Sequence, residues 1–189
     1  VLGLLLKITM TASIVVAASI IVERSGPFIG SLIAAPPTAG GAAMIILALE
    51  HPPEFIAQSA VGGLIANAAC AFFALTYAAL AQRHTLQLSL GGAFLVWLVI
   101  VFLLRLVEWN AVSAVLLNAV VYPIAIAASQ RFRIAGAVKR VEVTGTDLAW
   151  RAGVVTLCVV LVTAASSSIG SYFSGTFAFF PVAMGSFFI

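Results

Sequence analysis

The stretch PFIGSLIAAPPTAGGAAMIILAL, residues 27–49, contains no charged residue and is bounded by Glu23-Arg24 on one side and Glu50 on the other. At about 1.5 Å per residue, a helix of this length crosses the roughly 30 Å hydrocarbon core of a bilayer. Pro36 and Pro37 lie near its centre, where each proline removes a backbone donor and clashes with the preceding turn. The stretch therefore predicts a membrane-spanning helix that is interrupted at mid-depth.

The whole chain shares this apolar character. Its 189 residues are 63% hydrophobic and 8% charged, and the mean hydropathy is +1.20, whereas soluble domains carry about a quarter charged residues. Inside a bilayer the backbone must satisfy its own hydrogen bonds, and no stretch alternates polar and apolar residues as a barrel strand does. The predicted fold class is therefore all-α, a polytopic transmembrane helical bundle in contact with lipid.

Polar breaks divide the chain into roughly seven apolar stretches of spanning length. They are residues 1–22, 27–49, 55–82, 86–106, 111–130, 148–166 and 167–189. Arginine and lysine concentrate in the first, third and fifth breaks, and positive loops stay on the cytoplasmic side. We therefore expect a multi-pass protein of the cell inner membrane, with its N-terminus outside and a cytoplasmic basic loop over residues 131–147.

An internal repeat is indicated by self-comparison at an offset of 140 residues. Ile29-Gly30-Ser31 pairs with Ile169-Gly170-Ser171, and Ala43-Met44 pairs with Ala183-Met184. The repeat would make residues 1–130 a first unit of five helices and residues 148–189 the first two helices of a second, truncated unit. A tandem unit with an odd number of spans is inverted at its second occurrence, as in many secondary transporters.

Transporters of this kind bind substrate near the bilayer midplane, where paired helices are broken. Pro36-Pro37 in the second stretch, and Gly175 with Pro181 in the last, fit this description. Two kinked packing helices are the structural alternative, since membrane helices tolerate proline and glycine. The predicted substrate-binding residues are the unwound segment Pro36, Pro37, Thr38, Gly40 and Gly41, with Asn67, Asn118 and Thr176 as further contacts.

Other polar residues have a structural interpretation beside the functional one. Asn67 and Asn118 lie mid-span, where an amide either contacts substrate or forms an interhelical hydrogen bond. Glu50-His51-Pro52-Pro53-Glu54 combines histidine with two carboxylates, yet its prolines are typical of a helix-to-helix turn. Arg105 and Glu108 are three residues apart, which predicts an ion pair on one helix face.

One segment resembles a known family. Ile29-Gly30-Ser31-Leu32 through Pro36-Pro37-Thr38 is similar to the Ile-Gly and Pro-Thr spacing of the GlpM-like inner-membrane proteins, over about a tenth of the chain. The resemblance implies a bacterial inner-membrane location and transfers no functional residue.

Motifs for zinc hydrolysis, thiol redox chemistry, phosphate loops and serine nucleophiles do not occur in the sequence. We therefore expect no enzyme, no cofactor, no metal and no nucleic-acid partner. The sequence favours a secondary transporter or exporter of a small molecule or ion, and glycine pairs such as Gly91-Gly92 allow a homodimer. The alternative is a non-catalytic membrane subunit or scaffold of a larger complex.

Overall fold

The computed structural model describes residues 9–13, 17, 38–132 and 145–181, and the regular structure in these ranges is helical throughout. Residues 9–13 are helical. Six further helices follow. They are α1 (Thr38–Glu50), α2 (Pro53–Leu80), α3 (Leu86–Leu104), α4 (Ala111–Ser129) with a 3-10 turn at Gln130–Phe132, α5 (Gly145–Ile169) and α6 (Ser171–Ala178).

Four helical segments are long and apolar enough to cross a membrane, namely Pro53–Leu80, Leu86–Leu104, Ala111–Phe132 and Ala152–Ile169. They mark the chain as a membrane protein and confirm the all-helical class. The predicted number of about seven spans is not reached in the described ranges, since α1 has 13 residues and α6 has 8. Most of the first predicted span lies outside the described residues.

Local sequence explains where the spans begin. Pro53 opens α2, where its missing N–H would have no intrahelical partner, and Glu54 lies in the first turn. Asn110 caps α4: its side-chain oxygen accepts from Ser113 N at 2.9 Å, and Ser113 Oγ accepts from Asn110 N at 3.0 Å. This reciprocal pair satisfies two donors at the helix start.

The core has two parts, and α2 is the helix at its centre. In the first, α2 residues including Cys70 and Phe73 pack against Trp97 of α3, and the Trp97 indole donates to Ala66 O at 3.3 Å. In the second, Ala43 and Ile46 of α1 pack against one face of α5. By contrast, large apolar side chains on the outer faces of α3 and α4 are exposed, as expected for surfaces that contact lipid.

The last predicted span, 167–189, differs from the structure. α5 ends at Ile169, Gly170 adopts a left-handed φ of 81°, and α6 then runs for eight residues to Ala178. The break has a local cause, because glycine accepts the positive φ that reverses the chain. Residues 182–189 lie outside the described ranges.

Candidate functional site

α6 and α2 approach each other backbone to backbone. A Cβ added at Gly175 would collide with the carbonyl of Ser59, and one added at Gly62 would collide with the carbonyl of Tyr172. Ser59 Oγ also donates to Ser171 O at 2.8 Å. The absence of a side chain at both glycines is therefore what allows α6 to dock.

The direction of α6 follows from its contacts along α2. Ser171, at its start, donates from Oγ to Gln58 Oε1 at 2.6 Å, in the first turns of α2. Phe179, just after its end, lies against Gly63, and its carbonyl accepts from Cys70 Sγ at 3.5 Å. Both helices therefore run in the same direction, and α6 ends beside the middle of a membrane-spanning helix.

The beginning of α1 meets the end of α6 at this level. The ring of Phe179 lies between Gly40 of α1 and Gly63 of α2, at 2.9 and 2.6 Å from the Cβ positions that larger residues would occupy. Gly40 is buried. We call this meeting point of α1, α2 and α6 the mid-membrane junction, and it is the candidate site.

A helix end inside a membrane span leaves polar backbone groups with few partners. At the end of α6, Gly175 O accepts from Phe179 N at 3.4 Å and Phe177 O accepts from Phe180 N at 3.1 Å. The following Pro181 has no N–H to offer. The partial negative charge of the end of α6 thus lies near the middle of a membrane-spanning helix, beside Gly40 of α1. Such an arrangement can receive a polar or charged group within the membrane.

The α5–α6 turn is fixed by a second polar cluster. Ser166 Oγ lies 2.7 Å from Thr163 O and 2.7 Å from His51 Nε2. Because a hydroxyl has one hydrogen, a Ser166 that donates to Thr163 O receives its other bond from His51 Nε2–H. His51 also stacks on Phe55, with ring centroids 3.9 Å apart. The cluster connects the α1–α2 turn to α5 and thereby holds the entry of α6.

The predicted unwound segment is only partly described. Pro36 and Pro37 lie outside the described residues. Thr38, Gly40 and Gly41 are helical within α1, so the prediction that these three residues are unwound is wrong. Gly40 lies at the junction, whereas Gly41 is exposed and a Cβ there would have no neighbour within 4 Å. The structure therefore places one of the two glycines in the candidate site.

Thr176 is buried at the α2–α6 contact. Its hydroxyl is 2.9 Å from Tyr172 O, one turn back, and 3.4 Å from Gly62 O. The hydroxyl is therefore oriented toward backbone carbonyls at the edge of the junction.

Asn67 and Asn118 meet each other on a different face of α2. Asn67 Nδ2 donates to Asn118 Oδ1 at 3.0 Å, while Asn118 Nδ2 donates to Leu64 O at 2.9 Å and to Ala114 O at 2.8 Å. Tyr122 OH adds a bond to Asn67 O at 3.2 Å. These contacts lie at the α2–α4 interface, where the amides act as interhelical hydrogen-bonding groups.

Sequence reasoning missed Phe179, the side chain at the centre of the junction. One phenylalanine among 13 carries no local signal, and only its position before Pro181 could have indicated a helix end. The sequence predicts that Arg105 pairs with Glu108 on one helix face. In the structure, the Arg105 guanidinium lies over the Phe173 ring, 4.2 Å from its centroid. Within the described ranges, no group of three or more His, Cys, Asp or Glu side chains is arranged to hold a metal ion.

Comparison with known proteins identifies a family but no activity. The family described as "Protein of unknown function (DUF3147)" matches residues 4–109, more than half of the chain, and the match ends in the loop after α3. No curated protein and no solved structure is significantly similar to the chain. The resemblance to the GlpM-like proteins stays a prediction. By the matched range, the chain belongs to the DUF3147 family.

Proposed function

We propose that this chain is a secondary transporter or exporter of a small molecule or ion, with its substrate site at the mid-membrane junction. One observation carries the proposal: α6 ends beside the middle of α2, against the beginning of α1. Broken helices whose ends meet at mid-depth are where such transporters bind substrates and coupling ions. Pro36 and Pro37, with Gly40 and Thr176, would line this site.

Lipid cannot satisfy the backbone groups at the end of α6, so irregular backbone at this depth must be covered by protein or line a watery cavity. The backbone groups at this helix end are otherwise unexplained, because an uninterrupted helix would satisfy them internally. A polar solute or ion passing through the junction gives them a use. The driving force would be an ion gradient.

The repeat predicted from the sequence gives the proposal its symmetry. Residues 1–130 would form a first unit of five helices, and α5 and α6 would begin a second unit related to it by the offset of 140 residues. A unit with an odd number of spans is reversed at its second occurrence. We therefore propose a five-plus-five arrangement in the inner membrane, with the N-terminus outside and the loop at 131–147 cytoplasmic.

Transport is tested in proteoliposomes containing the full chain. Solute uptake is followed by light scattering for a panel of amino acids, sugars and organic cations, with protein-free liposomes as the baseline. We expect at least one class to enter faster with protein, and replacement of Pro36 and Pro37 by alanine to abolish that uptake without lowering the melting temperature.

The matched control is Pro123→Ala, which removes a proline inside the α4 span and away from the junction. It should keep the uptake of the unchanged protein. Full uptake by the Pro36→Ala/Pro37→Ala variant would contradict the site, and no uptake of any solute would contradict transport. Labelling of single cysteines from outside intact cells tests the proposed orientation: residues 110 and 170 should label, and 84 and 140 should not.

A membrane subunit is the second candidate, and the exposure of α4 favours it. Ala114 is the buried residue of that helix, and the rest of its apolar surface is available to lipid, a partner or a second copy. Mild solubilisation distinguishes these states. Stoichiometric foreign subunits would support the scaffold function, whereas a monomer or homodimer would support a free-standing transporter.

A further inference from the structure

A cavity of about 600 Å³ lies between the end of α2 and the end of α4, at the opposite end of α2 from the α5–α6 turn. It is lined by Ala79, Leu80, Gln82, Arg83, His84, Arg131 and Phe132. We call it the basic cavity, because two arginines and a histidine line it and none of the described lining residues is acidic.

A second cavity gives the comparison. It has about 630 Å³, lies between the α3–α4 loop and the α5–α6 turn, and includes both Arg105 and Glu108. Its one cation is thus accompanied by a carboxylate, and that cation lies over the Phe173 ring. Positive charge with no negative side chain among the described lining residues is the property that distinguishes the basic cavity.

The backbone sets the positions of the cationic side chains. Arg83 N and His84 N both donate to Leu80 O, at 3.0 and 2.9 Å, which closes the chain into a tight turn after α2. On the other side, Arg131 Nε donates to Ala128 O at 3.1 Å. This bond fixes the guanidinium plane and leaves its terminal amino groups as donors for a ligand.

We propose that the basic cavity binds a phosphate group through Arg83, His84 and Arg131. Guanidinium groups bind phosphate oxygens through paired, charge-assisted hydrogen bonds, and a histidine N–H supplies a further donor. The phosphate has two sources, an anionic lipid headgroup at the membrane surface or a soluble phosphate compound. The site is separate from the mid-membrane junction, so it stands whether or not the chain transports solutes.

Binding is measured on the purified full chain with two probes. Inorganic phosphate is titrated against chloride at constant ionic strength, which keeps screening equal, and the melting temperature is recorded. In parallel, native mass spectrometry counts retained phosphatidylglycerol and phosphatidylcholine after reconstitution with equal amounts of both lipids.

The test variant is Arg83→Gln/Arg131→Gln, and the matched control is Arg105→Gln, an exposed arginine near an aromatic ring at the other end of the bundle. Each basic side chain near a membrane surface adds to the attraction for an anionic group, so the loss of two should lower affinity by tenfold or more. We expect the double variant to lose this affinity and the control to keep it.

A response to phosphatidylglycerol alone identifies a lipid headgroup, a response to inorganic phosphate alone identifies a soluble ligand, and either one supports the proposal if the double variant abolishes it. The proposal is overturned if neither probe binds, or if the double variant and the Arg105→Gln control lose affinity equally.

Discussion

α2 holds α6 and α4 by two different means. Toward α6 it presents Gly62, with which the neighbouring backbone is in direct contact. Toward α4 it presents Asn67, whose amide is joined to the Asn118 side chain across 3.0 Å. The first interface depends on the absence of side chains, and the second depends on the presence of polar ones.

The two interfaces differ because α4 is a full-length span and α6 is a short helix. α4 satisfies its own backbone over its full length and needs only a few side-chain bonds to fix its position. α6 is short and has helix ends to cover, so a close backbone contact excludes lipid from it. We therefore expect the α2–α6 interface to be the more sensitive of the two to single substitutions.

The largest effect should come from Gly175→Ala. Its new methyl group would collide with the Ser59 carbonyl, and a backbone cannot move aside as a side-chain end can. We expect the free energy of unfolding to fall by about 3 kcal/mol, at the upper end for overpacking. The melting temperature in detergent measures the loss.

The matched control for this substitution is Gly91→Ala in α3, where a Cβ would have no neighbour within 4 Å. Alanine is the better helix former there, so stability should be unchanged or slightly higher. Gly62→Ala should lower stability about as much as Gly175→Ala. The double variant should lose less stability than the sum of the two single losses, since both substitutions separate the same helix pair. Equal melting temperatures for Gly175→Ala and Gly91→Ala would contradict the close contact.

An intermediate effect is expected at the α2–α4 interface from Asn118→Ala. The substitution removes three hydrogen bonds and leaves the Asn67 amide without its side-chain acceptor. The expected loss is about 1–2 kcal/mol, again measured as a lower melting temperature.

Replacing both amides distinguishes a bonding role from a packing role. Asn67→Leu/Asn118→Leu should be more stable than either single leucine variant, because no half-buried amide is then left without its partner. A double variant that is the least stable of the three would show that the amides do more than bond each other.

The smallest effect should come from Tyr122→Phe, which removes the hydroxyl bonded to Asn67 O at 3.2 Å and keeps the ring. That carbonyl also belongs to the backbone of α2, so its second bond contributes only about 0.5–1 kcal/mol. A shift as large as that of Asn118→Ala would mean that the tyrosine, rather than the amide pair, fixes α4.

The full-length spans were predictable from the sequence. The expected stretches 55–82, 86–106 and 111–130 agree within two residues with α2, α3 and α4 (Pro53–Leu80, Leu86–Leu104 and Ala111–Ser129). Charged and proline-rich breaks set these ends, and both signals are local.

The eight-residue length of α6 was not predictable, because the stretch 167–189 is apolar enough to look like one span. Its docking depends on Ser59, Gly62 and Gly175 meeting across more than a hundred residues, and no local pattern contains that information. Likewise, Asn67 and Asn118 could each be identified in the sequence, but the hydrogen bond between them depends on the register between α2 and α4. The site residues could be named individually from sequence, whereas their grouping required the fold.

The shortness of α6 also has a consequence for biogenesis. Eight residues rise only about 12 Å, less than half of the bilayer's hydrocarbon core, so α6 alone does not cross the membrane. Its close packing against α2 can form only after both segments have been made, since Gly62 precedes Gly175 by more than a hundred residues. A substitution at Gly62 would then act during synthesis, on a segment made more than a hundred residues later, and its result would be an unassembled chain that quality-control proteases degrade.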